Sequence, residues 1–202
     1  MYIPRHFREE ETATLWDFME QNSFGLLVTS RDGGPFASHV PLLLDRTRGP
    51  YGTLSAHVAR ANPHADDALA QASMLAVFHG PHAYISPAWY AEPRNVPTWN
   101  YVAVHAYGKP RVISDPGQAM ALLERMIAAY DRQWRLPPGA EWAAKMLNGI
   151  VAFEIEIEKL EGKFKLNQNR TAADRKGVIE ALSQSTDHAA AAIANIMHAH
   201  EV

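Results

Sequence analysis

The run from Val96 to Gly108 carries a dense set of amphipathic side chains: a tryptophan, an asparagine, two tyrosines and a histidine. Its Val-Ala-Val-His-Ala-Tyr portion has the pattern of a β-strand. Such rings are costly to leave in water, and their polar tips need hydrogen-bond partners when they are buried. A strand of this kind lines a core seam, a subunit interface or a pocket for a flat aromatic ligand. The run alone leaves these three alternatives open.

A second stretch, from His57 to His64, has the residue types of a phosphate site. It leaves a predicted strand and enters a predicted helix, with Asn62 at the N-cap and Pro63 at the first helical position. His57 and Arg60 then lie beside backbone N–H groups that a helix N-terminus leaves free, an arrangement that suits an anion. The alternative is an ordinary strand-to-helix connection with an exposed arginine, and spacing does not decide between the two.

Basic and amide side chains recur between Lys163 and Arg170, in the order Lys-Phe-Lys-Leu-Asn-Gln-Asn-Arg. In isolation this pattern is typical of a solvated loop whose amides cap a neighbouring helix. It indicates an anion site only if other segments point to the same ligand.

Several other classes of site lack their motifs. The ten histidines do not occur at the usual metal-ligand spacings, so we expect structural histidines and no metal. The chain has no cysteine, which excludes thiol catalysis and thiolate metal sites. It also has no Gly-x-Ser-x-Gly elbow, P-loop or Gly-x-Gly-x-x-Gly.

The composition is that of an ordinary globular protein. The 202 residues are 47% hydrophobic and 20% charged, with a net charge of −3, which argues against a broad nucleic-acid surface. The N-terminus has no apolar signal-peptide core, and no apolar run approaches the roughly 20 residues of a membrane span. We therefore expect a cytoplasmic protein without a membrane partner.

The elements that must position these residues follow from periodicity and from turn residues. Strands are predicted at residues 25–30, 36–44, 51–57, 74–80, 83–86, from about 99 to 108, and 150–160. Helices are predicted at residues 12–22, 63–71, 115–133, 141–147, 174–182 and 187–198. Residues 31–34 form a tight hairpin turn, and residues 88–97 and 136–139 form connections.

This order of elements favours a mainly β fold with peripheral helices. Most of the strands are joined by hairpin-like turns, without the strict strand–helix alternation of a doubly wound sheet, so an antiparallel barrel is expected. We predict one domain over residues 1–182, followed by an alanine-rich helix or tail at 183–202.

Taken together, several segments resemble the PaiB-type FMN-binding negative transcriptional regulators. The resemblance covers about residues 1–182 and rests on segments in the same order as in that family: 1–7, 33–45, 57–64, 77–90, 96–108 and 165–170. It implies an antiparallel split β-barrel of the pyridoxamine-phosphate-oxidase type. It also implies a homodimer with FMN bound at the subunit interface.

The resemblance gives the candidate residues compatible roles. Arg60, with His57 and Asn62, would bind the FMN phosphate. Backbone groups at the end of the second hairpin strand would form hydrogen bonds with N3 and O4 at the edge of the isoalloxazine; these are the groups of Ser38, His39, Val40 and Pro41. The partner subunit would cover the ring with Trp99, Asn100 and Tyr101, and Lys165, Gln168 and Arg170 would reach the pyrimidine side of the flavin or its phosphate.

The function that the resemblance implies is a flavin-binding regulator. An FMN-dependent oxidoreductase is the main alternative, because the chemistry of this fold belongs to its flavin. A haem-handling protein is a third alternative, suggested only by the histidine count. Direct DNA binding has little support, since the net charge is negative and no helix-turn-helix is recognisable. No acid–base pair near the expected ring marks a particular reaction, and His39 and Tyr101 are the nearest candidates.

Overall fold

An antiparallel sheet dominates the computed structural model, which describes residues 1–92, 94–137 and 141–200. Hydrogen-bonded neighbours within these ranges follow the order β3–β2–β6–β7–β8–β5–β4, and β1 pairs with β8. The strands are β1 (Arg8–Glu9), β2 (Phe24–Arg31), β3 (Gly34–Pro41), β4 (Leu43–Asp45), β5 (Thr53–Ala59), β6 (Met74–Ile85), β7 (Thr98–Val112) and β8 (Ile150–Lys165). This confirms the mainly β, antiparallel prediction.

Six α-helices accompany the sheet in the described ranges: α1 (Thr12–Gln21), α2 (His64–Leu69), α3 (Pro116–Tyr130), α4 (Glu141–Leu147), α5 (Ala172–Ser183) and α6 (His188–Ala199). Each lies within a few residues of its predicted position. Two short 3-10 helices lie at Arg5–Phe7 and Pro87–Trp89. No helix in these ranges is both long and apolar enough to cross a bilayer. Pro93 of the predicted 88–97 connection and residues 138–139 of the predicted 136–139 connection lie outside the described residues.

The chain divides into two compact units. The terminal unit comprises Met1–Phe18, His79–Val104 and the described residues from Glu161 onward, and the central unit comprises Met19–Phe78 and His105–Leu160. The alanine-rich tail, as far as residue 200, lies in the terminal unit, where α6 packs against α5 and buries Ile193 and Met197. The predicted division at residue 183 stays a prediction.

The central unit begins with a hairpin of β2 and β3, and its predicted tight turn is confirmed. Asp32 and Gly33 both have positive φ, 50° and 81°, as a two-residue turn between paired strands requires. The single strand predicted over residues 36–44 is wrong, because the chain changes partners at Leu42: β3 pairs with β2, whereas β4 pairs with β5. The backbone N–H of Leu42 instead donates to the carbonyl of Ser23.

Two further strands differ from the prediction. The break predicted at Gly80-Pro81 is absent, since β6 continues from Met74 to Ile85. A Cβ at Gly80 would lie 2.6 Å from the ring of Phe18, so the glycine serves close packing rather than a turn. The last strand, β8, extends to Lys165 instead of ending near residue 160. Lys163 and Lys165 therefore belong to a strand and not to a solvated loop.

A cluster of buried residues fixes α3 in the central unit. Ala119, Leu122, Met126 and Ala152 are buried together, with Leu147 packed at their margin. Met126 confirms part of the predicted inward face. The other predicted inward residues, Met120, Leu123 and Ile127, are only half-buried. The helix is therefore rotated slightly from the orientation that its largest side chains indicated.

Candidate functional site

In the central unit, Ser38, Asn62 and His64 form a small hydrogen-bonded group. The Asn62 side-chain amide donates to Ser38 Oγ over 3.0 Å, and its oxygen accepts the backbone N–H of His64 at 2.9 Å. Ser38 Oγ also lies 3.0 Å from Nδ1 of His64, which is fully buried. The structure thus brings together two predicted site residues. His64 is a third member, which the sequence had indicated only as the end of a motif.

The start of α2 differs from the prediction. The helix begins at His64, after Pro63, and has only 6 residues. Pro63 already has helical dihedral angles, φ −53° and ψ −27°, and the Asn62 side-chain oxygen accepts the N–H of His64, two residues on, as a capping asparagine does. With only 6 residues, α2 adds little to an anion site, and the predicted phosphate site stays a prediction.

Arg60 lies on the connection after β5, with an exposed side chain held by backbone carbonyls. Its Nε and Nη2 donate to the carbonyls of Asn148 and Ile150, each over 2.8 Å, and its own N–H donates to the carbonyl of Gly149. Nη1 has no hydrogen-bond partner among the described residues. The guanidinium is therefore oriented by the protein, with one end left open.

His57 lies in β5, just before this connection, and is half-buried. Burial lowers the pKa of its imidazole, so the neutral ring is favoured. Its Nδ1 is buried and has no hydrogen-bond partner in the described part of the chain. A buried polar atom without a partner costs free energy, and such an atom commonly marks a place where a ligand or water binds.

Ser38, His39, Val40 and Pro41 form the end of β3, paired with residues 24–27 of β2. β3 is the last strand of the hydrogen-bonded order, so its outer edge has no strand partner within the described ranges. Alternate backbone groups on that edge are free to bind a ligand. The exposed His39 ring stacks on Phe24, with centroids 6.2 Å apart, and Val40 is buried. His39 thus contacts an aromatic neighbour, and no described residue forms an acid–base pair with it.

In the terminal unit, Lys165 lies beside the start of β7. Its Nζ donates to the Trp99 carbonyl over 2.5 Å and also to Thr98 Oγ1. The Trp99 side chain is 52% exposed. Tyr101, half-buried, presents its ring to the ammonium of Lys163 at 5.1 Å. The structure thus joins Trp99, Tyr101 and Lys165, which the sequence placed in two separate segments.

Three cations characterise this group, and we refer to Lys163, Lys165 and Arg170 as the cation cluster. Lys163 is buried, and its Nζ donates to the Tyr2 carbonyl at 3.2 Å. Arg170 donates to Asn95 Oδ1 and lies over the Tyr90 ring, 4.9 Å from its centroid. Among the described residues, no carboxylate forms an ion pair with any of the three. Their partners are neutral.

The electrostatics of the cation cluster follow from this composition. Burial lowers the pKa of Lys165, and the positive charges of Lys163 and Arg170 lower it further. Like charges held together in a partly buried place are unfavourable unless an anion compensates for them. The cluster therefore has the charge pattern of an anion-binding site. The sequence analysis included Lys163 in the basic run but gave it no site role, although its alternation with Lys165 along β8 was a usable signal.

Two further predicted residues, Gln168 and Asn100, make local contacts. Gln168 donates to the Phe164 carbonyl at 2.5 Å and accepts the N–H of Leu166 at 2.8 Å, so both ends of its amide are used within the turn after β8. Asn100 is fully buried, with its amide nitrogen 3.5 Å from the sulfur of Met197 in α6. The Asn100 oxygen has no partner in the described part of the chain. The flavin contacts predicted for these two residues stay predictions.

Comparison with known proteins gives a consistent result. Residues 1–159 match the family model described as "Putative FMN-binding domain". The chain is 37% identical to the protease synthase and sporulation protein PAI 2 of Bacillus subtilis, over 98% of this chain and 96% of that protein. This confirms the predicted resemblance to PaiB-type proteins.

Two solved structures have a similar fold. The FAD and heme binding protein from Mycobacterium smegmatis has a TM-score of 0.61 at 17% identity, over 84% of this chain and 78% of that one. The flavocytochrome Anf3 from Azotobacter vinelandii has a TM-score of 0.62 at 13% identity, over 85% and 73%. At these identities the likeness concerns the fold alone, and it agrees with the predicted split-barrel class.

Proposed function

The chain belongs to the FMN-binding domain family that its first 159 residues match, with FMN as the cofactor, and from this premise we propose a homodimeric flavin-binding regulator of the PaiB type. In this proposal, each FMN lies between the central unit of one protomer and the terminal unit of its partner. The observation that carries the proposal is the cation cluster. Among the described residues, every partner of its three positive charges is neutral.

The central unit would supply the phosphate site and one edge of the ring site. Arg60 is oriented by two backbone carbonyls and keeps Nη1 open, which suits a charge-assisted bond to phosphate. His57 offers a buried ring nitrogen that has no hydrogen-bond partner in the described ranges. The free edge of β3 at residues 38–41 offers alternating backbone donors and acceptors, the pattern that the N3 and O4 edge of a flavin needs. Asn62, with both ends of its amide in use, would position Ser38.

The partner's terminal unit would supply the opposite wall. The Trp99 ring is large, flat and half exposed, which suits packing on an isoalloxazine. The cation cluster would lie near the pyrimidine side of the flavin or near its phosphate, where negative charge compensates for the desolvated Lys165. Tyr101 orders the cluster through its contact with Lys163. The central-unit residues include the exposed Arg60, and the terminal-unit residues include the exposed Trp99. Residues that meet only when a dimer forms must be accessible in this way.

Regulation in this proposal depends on the flavin. A bound FMN supplies redox chemistry, and the protein's residues hold it, orient it and exclude water from it. With a net charge of −3, the surface is not built broadly for the phosphates of DNA. We therefore propose a cytoplasmic regulator that responds to the state of its flavin, with any contact to DNA confined to a local patch.

An FMN-dependent oxidoreductase is the second candidate, and the cation cluster again favours it. Positive charge near the N1 and O2 edge of a flavin favours uptake of electrons by the ring. The same three cations that would hold the cofactor would then also raise its reduction potential. The described residues provide no acid–base pair near the proposed ring, and in this candidate the reaction class would be electron or hydride transfer through the flavin.

An absorbance spectrum of the purified full-length protein tests these proposals. The protein should be yellow or take up FMN in equal proportion to its chains, and size-exclusion chromatography should give a dimer. Bleaching of the flavin by NADH or NADPH would favour the oxidoreductase. A shift of promoter DNA at physiological salt would favour direct regulation. A protein that takes up no FMN at micromolar concentration would contradict both candidates.

A further inference from the structure

A cavity of about 460 Å³ lies within the terminal unit, beside α5 and α6. Its walls include four rings, His82, Tyr84, Trp89 and Trp99, and a floor of small and aliphatic side chains such as Leu182. This volume suits a small organic molecule. Apart from Trp99, none of these residues has a role in the proposed flavin site.

The rings are arranged around the cavity rather than packed into a core. The Trp99 ring lies 5.9 Å from His82 and 5.9 Å from Tyr84, centroid to centroid, at angles of 43° and 77°. The Tyr84 side chain is 47% exposed and that of Trp99 is 52% exposed, although large rings of this kind are costly to leave in water. Rings that meet at steep angles around an open space present several faces to one point, as in the aromatic cages that bind ammonium groups.

The described residues that line the cavity carry only negative formal charge. Asp187 is the only residue with a formal charge at neutral pH among the described residues that line it. One oxygen of this carboxylate accepts the N–H of Ala189 at 2.9 Å and so caps α6. The full negative charge of the carboxylate exceeds the partial positive charge of the helix end, about half an elementary charge, so the wall stays negative overall.

We propose that this cavity binds a small organic cation, with an ammonium group enclosed by the faces of Trp99, Tyr84 and Trp89 and paired with Asp187. The ring faces attract a cation through their quadrupoles, and the carboxylate adds the opposite charge. A neutral molecule of the same shape would gain only the apolar contact. The site shares Trp99 with the proposed flavin site but differs from it in the charge of its ligand, because the flavin site takes an anion.

Binding of choline to the full-length, FMN-loaded protein tests the proposal, with isothermal titration calorimetry as the readout. The matched control ligand is the tert-butyl analogue of choline, in which carbon replaces the quaternary nitrogen. The measurement is made at about pH 8, where histidine side chains are ordinarily neutral. Choline should bind roughly tenfold more tightly than its neutral analogue, as a cation–π site with a neighbouring carboxylate predicts.

Two pairs of variants locate the effect. Tyr84→Leu should weaken choline binding by roughly three- to fivefold, whereas Tyr84→Phe keeps the ring and should leave it within about twofold. Asp187→Asn preserves the helix cap but removes the charge, and should weaken choline binding by roughly two- to fivefold. Neither residue belongs to the proposed flavin site, so every variant should retain its FMN, which flavin absorbance measures.

Equal affinity for the two ligands in the native protein would overturn the proposal, and so would failure of choline to bind. A preference for choline that survives both Tyr84→Leu and Asp187→Asn undiminished would also overturn it, because the cation would then be bound elsewhere. Loss of FMN in a variant would be recognised from its absorbance. A failure of the flavin proposal is thereby distinguished from a failure of this one.

Discussion

The two groups of candidate residues satisfy their polar atoms in opposite ways. In the central unit, Ser38, Asn62 and His64 bond mainly to one another, and all three side chains are uncharged in their favoured forms. In the terminal unit, Lys163, Lys165 and Arg170 bond to carbonyls and an amide oxygen, with no described carboxylate partner. The first group carries no charge and leaves one buried atom, Nε2 of His64, without a hydrogen-bond partner among the described residues, whereas the second lacks a negative charge.

This difference separates a positioning role from a binding role. The central group keeps the end of β3 and the connection after β5 in place. Its removal should therefore lower the free energy of unfolding. In the FMN-free protein the like charges of the cation cluster repel one another without a compensating anion. Removal of one of these charges should therefore lower the affinity for FMN. The Arg48–Glu154–Arg111 network supports this distinction, because its guanidiniums already share one carboxylate at distances of 2.6–2.9 Å and have less charge to offer a ligand.

The largest effect is expected when a charge is removed from the cation cluster. Lys165→Met should weaken FMN binding by roughly tenfold to a hundredfold, the range for loss of a hydrogen bond to a charged group. Fluorescence titration of FMN measures the change. Lys159→Met, on the same strand but outside the cluster, is the matched control and should leave the affinity within about twofold. An equal loss of FMN affinity in Lys165→Met and Lys159→Met would show that the cation cluster has no specific role in binding FMN.

A smaller effect of a different kind is expected in the central group. Ser38→Ala should lower the free energy of unfolding by about 1–2 kcal/mol, because the buried Nδ1 of His64 loses its partner. Urea denaturation of the FMN-free protein measures it. Ser30→Ala, at an exposed position on the neighbouring strand, is the control and should change stability by less than about 0.5 kcal/mol. FMN affinity should fall less in Ser38→Ala than in Lys165→Met, since the backbone of Ser38 remains.

The smallest effect is a pH dependence that comes from Lys165. Its pKa in the folded protein is below the ordinary value of 10.5, chiefly through burial. Between these two values the unfolded chain keeps a proton that the folded chain has released, so the free energy of unfolding rises with pH across this window. FMN-free native protein should show this rise in urea denaturation relative to Lys165→Met.

Bound FMN should reduce that rise, because an anion beside Lys165 favours its charged form and moves its pKa back toward the ordinary value. A native protein whose stability follows that of Lys165→Met at every alkaline pH, with or without FMN, would show that the ammonium is not desolvated. The cation cluster would then lack the strain that distinguishes it from the central group.

Much of the fold could be predicted because local signals agreed with the tertiary structure. The Asp32-Gly33 turn and the helix at residues 141–147 follow from turn residues and periodicity. The misplaced boundaries have long-range causes. Gly80-Pro81 suggested a turn, but the glycine makes room for the Phe18 ring. β3 and β4 separate because each pairs with a different strand, which no local pattern encodes.

The candidate site was predicted in the same uneven way. Residue types indicated Arg60, Trp99 and Lys165, but not what they contact. That Arg60 is held by the carbonyls of Asn148 and Ile150 depends on residues far along the chain. Gln168 was indistinguishable by composition from a ligand-binding amide, although its turn uses both ends of the side chain. The lack of a counter-charge beside a cation can be recognised only when the neighbours of that cation in the structure are known.

The most direct test of the central claim is a complementation experiment between protomers. Arg60→Ala removes the proposed phosphate contact of one protomer, and Lys165→Met removes a contact that its partner would supply. Either variant alone should bind FMN weakly. In an equal mixture that is unfolded and refolded together, half of the dimers carry one of each chain, and one of their two sites is intact. Roughly one quarter of all sites should then bind FMN with native affinity. A mixture that binds no better than either variant alone, although the mixed dimers have formed, would contradict a flavin site shared between protomers.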